Sequence, residues 1–178
     1  MVAVKHTIVA LVEDKPGVLN RVASMFRRRG FNISSLAVGH SEIQEFSRMT
    51  FVVEGDDAMI EQVTKQLYKL IEVVRVTDLL NEQSVYREMA LIKVRATSHT
   101  RGEIIQMVEV FRGNVVDVSS DSLIVEVTGD EDKIDSLHEV LKPFGIREVM
   151  RTGRVAMTRG SQAVKSADEI RVRGKVLD

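Results

Sequence analysis

The segment that begins at Asp14 combines a carboxylate, a proline and a glycine at the start of a predicted helix. Pro16 fixes its own φ angle and has no N–H group, which suits the first turn of a helix. Gly17 has no Cβ, so a ligand can approach its backbone closely. The backbone N–H groups of Gly17, Val18 and Leu19 then point out of a helix N-terminus, where the helix dipole favours an anion. A positive helix end beside a negative side chain suits a zwitterion, whose carboxylate would bind the N–H groups and whose ammonium group would bind Asp14.

Two predicted elements position this segment. An uninterrupted apolar run at 7–12 indicates a strand at 4–13 that is central in its sheet or buried on both faces. Apolar residues at helical spacing predict a helix at 16–29, which Gly30 ends. The same region then predicts a second helix at 57–70 and strands at 31–38, 46–54 and 73–79. The order βαββαβ is typical of a ferredoxin-like unit.

The second half of the chain repeats this order. It predicts helices at 102–112 and 131–142 and strands at 88–96, 113–119, 122–128 and 145–150. Val9 corresponds to Val94 at an offset of 85 residues, whereas Val53 corresponds to Val127 at an offset of 74. The first copy is therefore 11 residues longer (85 − 74), and we expect most of the extra length in the loop around 39–46 and in the adjoining strands. Extra loop on one copy of a repeat predicts a functional role.

The pattern predicts an α+β protein of two tandem ferredoxin-like βαββαβ units. We place the domain limits at 1–80 and 81–160, followed by a polar tail at 161–178. The small and basic residues at 153–160 indicate a flexible segment, and 164–172 is compatible with a short helix or an added strand.

The second copy offers an internal comparison for the segment at 14–19. Gly17 corresponds to Gly102, but the second copy has neither the aspartate nor the proline. Thr100, followed by Glu103, predicts an ordinary capping box at that helix. Helix N-termini usually carry such caps and seldom bind ligands. A plain helix cap with a rigid turn and a ligand site therefore both stay open for 14–19.

Composition and charge exclude several classes of protein. Lys and Arg number 25 and Asp and Glu number 26, so no electrostatic case exists for binding nucleic acid or an anionic membrane. The absence of cysteine excludes disulfides and thiolate catalysis and fits a cytoplasmic protein. The sequence shows no signal peptide and no apolar run of about 20 residues, so we expect no membrane span.

No catalytic or metal-binding constellation is evident in the sequence. The histidines are isolated from one another: His6, His40, His99 and His138. The acidic runs Asp56–Asp57 and Asp130–Asp132 each follow a glycine and open a predicted helix. Helix capping explains these carboxylates better than acid–base catalysis does. We therefore expect a protein with no catalytic residues and no metal.

Several segments together resemble one protein family. Glu13–Val22 resembles the opening motif of amino-acid-binding ACT domains. Further segments follow in the order found in the small regulatory subunit of acetohydroxyacid synthase, also called acetolactate synthase: Arg29–Ile33, Ser47–Thr50, Leu91–Val94, Phe144–Ile146 and Arg151–Ala156. The resemblance runs from about residue 6 to Gly160 and leaves out the tail.

The resemblance implies a non-catalytic protein that activates a catalytic subunit. That partner is expected to use thiamine diphosphate, FAD and Mg²⁺, with none of these on the present chain. The resemblance also implies a homodimer through the ACT domains and feedback inhibition by branched-chain amino acids, chiefly valine. The effector site is then expected to comprise Asp14, Pro16, Gly17, Val18 and Leu19 from one chain and Asn32 and Ile33 from its dimer mate.

Two departures and three rival interpretations accompany this resemblance. Many family members carry asparagine where this chain has Asp14, and the loop Ser41–Glu45 lacks the Asp-Pro pair often found there. One rival is an ACT-domain sensor of another amino acid that regulates a different enzyme. A transcriptional regulator would need a helix-turn-helix or a basic arm, and a stand-alone enzyme would need a catalytic constellation. The sequence shows neither.

Overall fold

The computed structural model describes residues 4–160, so the interpretations of 164–172 and of the tail at 161–178 lie outside the described residues. The first repeat contains strands β1 (Val4–Glu13), β2 (Ile33–His40), β3 (Phe46–Gly55) and β4 (Val73–Asp78) and helices α1 (Val18–Arg28) and α2 (Asp57–Leu67). The second contains strands β5 (Ser84–Arg95), β6 (Asn114–Val118), β7 (Ser122–Gly129), β8 (Ile146–Arg151) and β9 (Val155–Thr158) and helices α3 (Arg101–Val110) and α4 (Glu131–Leu141). Among these described helices, none is long and apolar enough to cross a membrane.

Both sheets are antiparallel, and each places the first strand of its repeat at the centre. The strand order is β2-β3-β1-β4 in the first sheet and β6-β7-β5-β8 in the second, where β9 also pairs with β5. Strand β1 is buried on both faces, as predicted: Ile8 and Ala10 are 0% exposed on the helix side, and Leu11 is 4% exposed on the other. The predicted α+β class with two tandem ferredoxin-like units is confirmed.

Contacts divide the described residues into two compact units, each with its own apolar core. One unit contains the residues up to Val85 and those from Ala156 onward, and the other is Tyr86–Val155. In the first core, Phe26 of α1 stacks on Phe51 of β3 with ring centroids 5.4 Å apart. The domain limits at 80/81 and 160/161 follow the sequence repeat, and they stay predictions.

The prediction that 153–160 is flexible is wrong. Strand β9 lies within it and pairs with β5, and the N–H of Arg159 donates to the carbonyl of Gln83 at 2.7 Å. Strand β7 pairs with β5 from Glu88 onward and β8 pairs with it from Ala90 onward, so the first residues of β5 have backbone groups available to β9. Backbone hydrogen bonding therefore orders a segment whose side chains carry little apolar signal.

The repeat is visible in atomic detail at the start of α2 and α4. Each helix has 11 residues, and the carboxylate of its N-cap aspartate accepts a backbone hydrogen bond. Asp56 accepts from Met59 at 2.8 Å, and Asp130 accepts from Lys133 at 3.0 Å. The interpretation of both acidic runs as helix caps is thus confirmed.

Most of the extra length of the first repeat lies in its β2–β3 hairpin, as predicted. Strand β2 has 8 residues where β6 has 5, and β3 has 10 where β7 has 8. The connecting loop covers 41–45 in the first repeat and 119–121 in the second. The first sheet therefore has a longer hairpin at its β2 edge.

Replacing Asp56 with alanine should lower the free energy of unfolding by about 1 kcal/mol, because the N–H of Met59 loses its acceptor. Asp130→Ala should have a similar cost, since the two caps share one geometry. Urea titration followed by circular dichroism measures both. Asp56→Asn is the control, since asparagine keeps an acceptor oxygen and should stay within a few tenths of a kcal/mol of wild type. An alanine variant as stable as the asparagine variant would contradict the assignment.

Candidate functional site

The connection between β1 and α1 is a type II turn built on Pro16 and Gly17. The carbonyl of Lys15 accepts a hydrogen bond from the N–H of Val18 at 3.3 Å. Gly17 has φ 87° and ψ −7°, the values of the third residue of such a turn, and Pro16 lies where its fixed φ is favoured. A side chain at this positive φ would be strained. The prediction that Pro16 lies in the first helical turn is wrong, because α1 begins at Val18 and Gly17 is its N-cap residue.

The backbone N–H groups at the start of α1 are partly available. The sequence predicts that the N–H groups of Gly17, Val18 and Leu19 are all free. This is wrong for Val18, whose N–H donates to the carbonyl of Lys15. Within residues 4–160, the N–H groups of Gly17 and Leu19 have no hydrogen-bond acceptor. No described side chain caps α1, and its first turn has no acidic residue, unlike those of α2, α3 and α4. A Cβ built on Gly17 would meet no heavy atom within 4 Å, so the backbone is open to a ligand there.

The corresponding start of α3 is organised differently. Thr100 is the N-cap residue, as predicted, but the predicted capping box is wrong, because no side chain of the described residues caps this helix. The hydroxyl of Thr100 instead accepts from the N–H of Thr97 at 2.9 Å. Gly102 lies inside α3 and has no positive φ. The two repeats therefore differ here in backbone conformation as well as in side chains.

The carboxylate of Asp14 lies beside the turn and faces the β2–β3 hairpin. Its Oδ2 atom lies 3.1 Å from Nδ1 of His40, the last residue of β2. The N–H of Asp14 donates to the carbonyl of Glu45 at 2.7 Å, and Glu45 itself has φ 65°. Sequence reasoning singled out neither His40 nor Glu45, although the extra length of the hairpin pointed to this region. The side chain of Asp14 is 45% exposed, so it stays accessible to a ligand.

The cationic side chains next to the turn are already paired. Nζ of Lys15 lies 2.6 Å from Glu13, and this hydrogen bond raises the pKa of Lys15. Nη2 of Arg21 lies 2.6 Å from Glu72, whose side chain is 10% exposed. An anion at the turn would therefore be recognised chiefly by backbone N–H groups and the helix dipole.

Asn32 and Ile33 do not lie near the turn in the same chain. Ile33 pairs with Val53 of β3, and Val53 pairs with His6 of β1, at the end of the sheet opposite His40. Seven residue steps along β2 separate Ile33 from His40, which is roughly 20 Å for an extended strand. Strand β2 is also the outermost strand of its sheet. The structure thus brings Asp14, Pro16, Gly17, Val18 and Leu19 together and leaves Asn32 and Ile33 apart from them.

Other polar side chains of the described residues do not form a metal centre. No group of three or more His, Asp or Glu side chains in residues 4–160 is placed to hold a metal ion. His6, which is 1% exposed, lies under α2 with Nδ1 2.8 Å from Asp78.

Two family models match this chain. The model described as "AHAS small subunit-like ACT domain" matches residues 8–75. The model described as "Small subunit of acetolactate synthase" matches residues 87–160. The two matches fall on the two repeats.

Individual proteins with these names are similar along nearly their whole length. The "Probable acetolactate synthase small subunit" of Archaeoglobus fulgidus is 57% identical over 158 residues, which is 89% of this chain and 99% of that protein. The protein from Mycolicibacterium smegmatis is 54% identical over 162 residues, 91% of this chain and 95% of its own. The crystal structure of the acetolactate synthase small subunit from Thermotoga maritima superposes with a TM-score of 0.82 at 48% identity, covering 88% and 98% of the two chains.

Replacing Gly17 with alanine should lower the free energy of unfolding by about 1 kcal/mol, because alanine is strained at a positive φ. The repeat supplies a matched control. Gly102→Ala should raise the stability by about 0.5 kcal/mol, since alanine favours the helix. A Cβ at either position meets no neighbour within 4 Å, so the two substitutions differ mainly in the backbone conformation that the alanine must adopt. Urea unfolding of the two variants measures both changes, and equal effects would contradict the turn geometry.

Proposed function

Because this chain belongs to the family of acetolactate synthase small subunits, we propose that it regulates a catalytic acetolactate synthase subunit and has no catalytic site of its own. We assign the chemical reaction to that catalytic subunit, which would hold thiamine diphosphate, FAD and Mg²⁺. The observation that carries the regulatory role is the open backbone at Gly17, with a carboxylate beside it and no side-chain cap.

The ligand that this arrangement favours is an α-amino acid with an aliphatic side chain. Its carboxylate would bind the N–H groups of Gly17 and Leu19, at the positive end of α1. Its ammonium group would bind the exposed carboxylate of Asp14. The side chain of Leu19 is 45% exposed and offers an apolar surface beside the same N–H groups. Valine is our first choice, although one methylene in an apolar pocket changes affinity by only about 1–3 kcal/mol, so leucine and isoleucine are also expected to bind.

A second copy of the chain would complete the site. Two β2 edge strands that pair antiparallel would join two four-stranded sheets. Antiparallel pairing brings the Ile33 end of one strand to the His40 end of the other, next to the turn. This geometry explains how Asn32 and Ile33 of the dimer mate can contact the same ligand as Gly17, despite their distance within one chain.

Regulation then requires a difference in affinity between two states. The effector binds at the joint between two copies, so it stabilises one arrangement of the pair over another. A coupling free energy of about 1–3 kcal/mol between the effector site and the catalytic subunit corresponds to a 5–150-fold change in binding affinity. Calorimetric titration with valine, serine, methionine and phenylalanine distinguishes this proposal from a sensor of another amino acid.

Replacing Gly17 with aspartate should abolish inhibition by valine, because the new carboxylate occupies the anion position. The measurement is acetolactate formation by the catalytic subunit reconstituted with each small-subunit variant, relative to the same holoenzyme without valine. Two controls isolate the charge. Gly17→Ala has the same backbone strain as Gly17→Asp but adds no carboxylate. Gly30→Asp adds the same charge beyond the other end of α1, where the φ angle is also positive at 70° and a Cβ would meet no neighbour. Both should stay inhibited, and inhibition of Gly17→Asp at wild-type valine concentrations would refute the site.

Mixing two defective variants should restore inhibition if the site spans two chains. Gly17→Asp and Asn32→Ala each remove one half of every site in their own homodimers. A mixed dimer has one site with both halves intact, so random mixing restores about a quarter of the sites. The measurement is valine inhibition after the variants are mixed and re-equilibrated, compared with each variant alone. A mixture that is no more sensitive than its parents would show that Gly17 and Asn32 do not meet across two chains.

A further inference from the structure

A cavity lies on the first sheet, on the face opposite the helices. Its volume is about 450 Å³, a size typical of small-molecule sites. All of its lining residues belong to the first compact unit. None of the residues of the turn at 14–19 lines it, so it is separate from the effector site proposed above.

The strand register places two guanidinium groups on either side of Leu11. Leu11 of β1 pairs with Arg48 of β3 on one side and with Arg75 of β4 on the other. Nη2 of Arg48 lies 2.8 Å and 2.9 Å from the two carboxylate oxygens of Glu42, so its charge is balanced. Arg75 is exposed, and no carboxylate of residues 4–160 lies within ion-pair distance of it. The guanidinium group of Arg75 is therefore available to an anion.

The rest of the cavity is mostly apolar. Its floor is formed by Val9 and Leu11, and Leu79, Ala156 and Met157 also line it. Leu11 and Leu79 are 4% and 2% exposed, which fixes their positions by packing. In a cavity of this kind, burial of the ligand's apolar surface favours binding, and a few polar groups fix the ligand's orientation.

Two segments that carried the family resemblance meet at this cavity, and the proposed function uses neither. Ser47–Thr50 contributes Arg48, and Arg151–Ala156 contributes Ala156. We propose that the cavity binds a small aliphatic carboxylate, whose carboxylate group pairs with Arg75 and whose apolar part packs on Leu11 and Met157. An amino acid and a 2-oxo acid share this chemistry. Glu82 also lines the cavity and would accept a hydrogen bond from the ammonium group of the amino acid only.

The methyl group of Met157 provides a direct reporter for the test. Met157 is 65% exposed and lines the cavity, whereas Met150 is 64% exposed and does not line it. The full chain is labelled with ¹³C-methyl methionine, and the two signals are assigned with Met157→Leu and Met150→Leu. Titration with isovalerate should shift the Met157 signal and leave Met150 in place. Titration with 3-methylbutylamine, which has the same aliphatic body and no carboxylate, should shift neither.

Variants then identify the group that binds the carboxylate. Arg75→Gln should weaken isovalerate binding at least about tenfold, the effect of one charge-assisted hydrogen bond. Arg28→Gln removes an exposed arginine of the same unit outside the cavity and should leave the binding unchanged. Gly17→Asp should also leave the Met157 response unchanged, which separates this cavity from the proposed effector site. Titrations with L-valine and with 2-oxoisovalerate then show which of the two compounds binds more tightly.

Three outcomes would overturn the proposal. The first is equal shifts of Met157 with isovalerate and with the amine, because the carboxylate would then be irrelevant. The second is unchanged binding in Arg75→Gln. The third is a Met157 signal that responds only when the catalytic subunit is added, because the cavity would then be a protein contact and not a small-molecule site.

Discussion

The left-handed backbone at Gly17 is the constraint on which the candidate site depends. It lets the chain leave β1, complete a type II turn with Pro16 and enter α1 within four residues. The same conformation leaves the first N–H groups of α1 without a side-chain cap. In α2 and α4, an aspartate carboxylate accepts from the helix start instead. The start of α1 therefore differs from the starts of α2 and α4, and it can receive an external carboxylate.

The longer β2–β3 hairpin supports that turn from the side. Its tip bonds to the backbone of Asp14 through Glu45, and its first strand places His40 against the Asp14 carboxylate. The second repeat has a shorter hairpin and a threonine pair in place of this arrangement. The inserted residues therefore contact the turn and lengthen the outermost strand of the sheet.

Much of the fold could be predicted from the sequence, because apolar periodicity and the repeat both report local backbone geometry. The helix caps at Asp56 and Asp130 and the position of the extra residues followed from the same pattern. The candidate site was predicted less completely. The Pro–Gly pair indicates a turn, but only the backbone shows that the N–H of Val18 is used within it. The contact between Asp14 and His40, like the pairing of β9, depends on which distant strands become neighbours, and residue type alone does not encode that.

The roughly 20 Å along β2 between Ile33 and His40, which contacts Asp14, has a consequence for how the protein would respond to its surroundings. If a second copy supplies the missing half of the site, a lone chain holds only part of the contacts that an effector needs. The fraction of sites that hold an effector then depends on two concentrations, that of the amino acid and that of the protein itself. The effector would favour pairing by the same free energy by which pairing favours the effector. Under the proposed dimer site, a lower concentration of this chain would therefore also lower the occupancy of the site at a given concentration of amino acid.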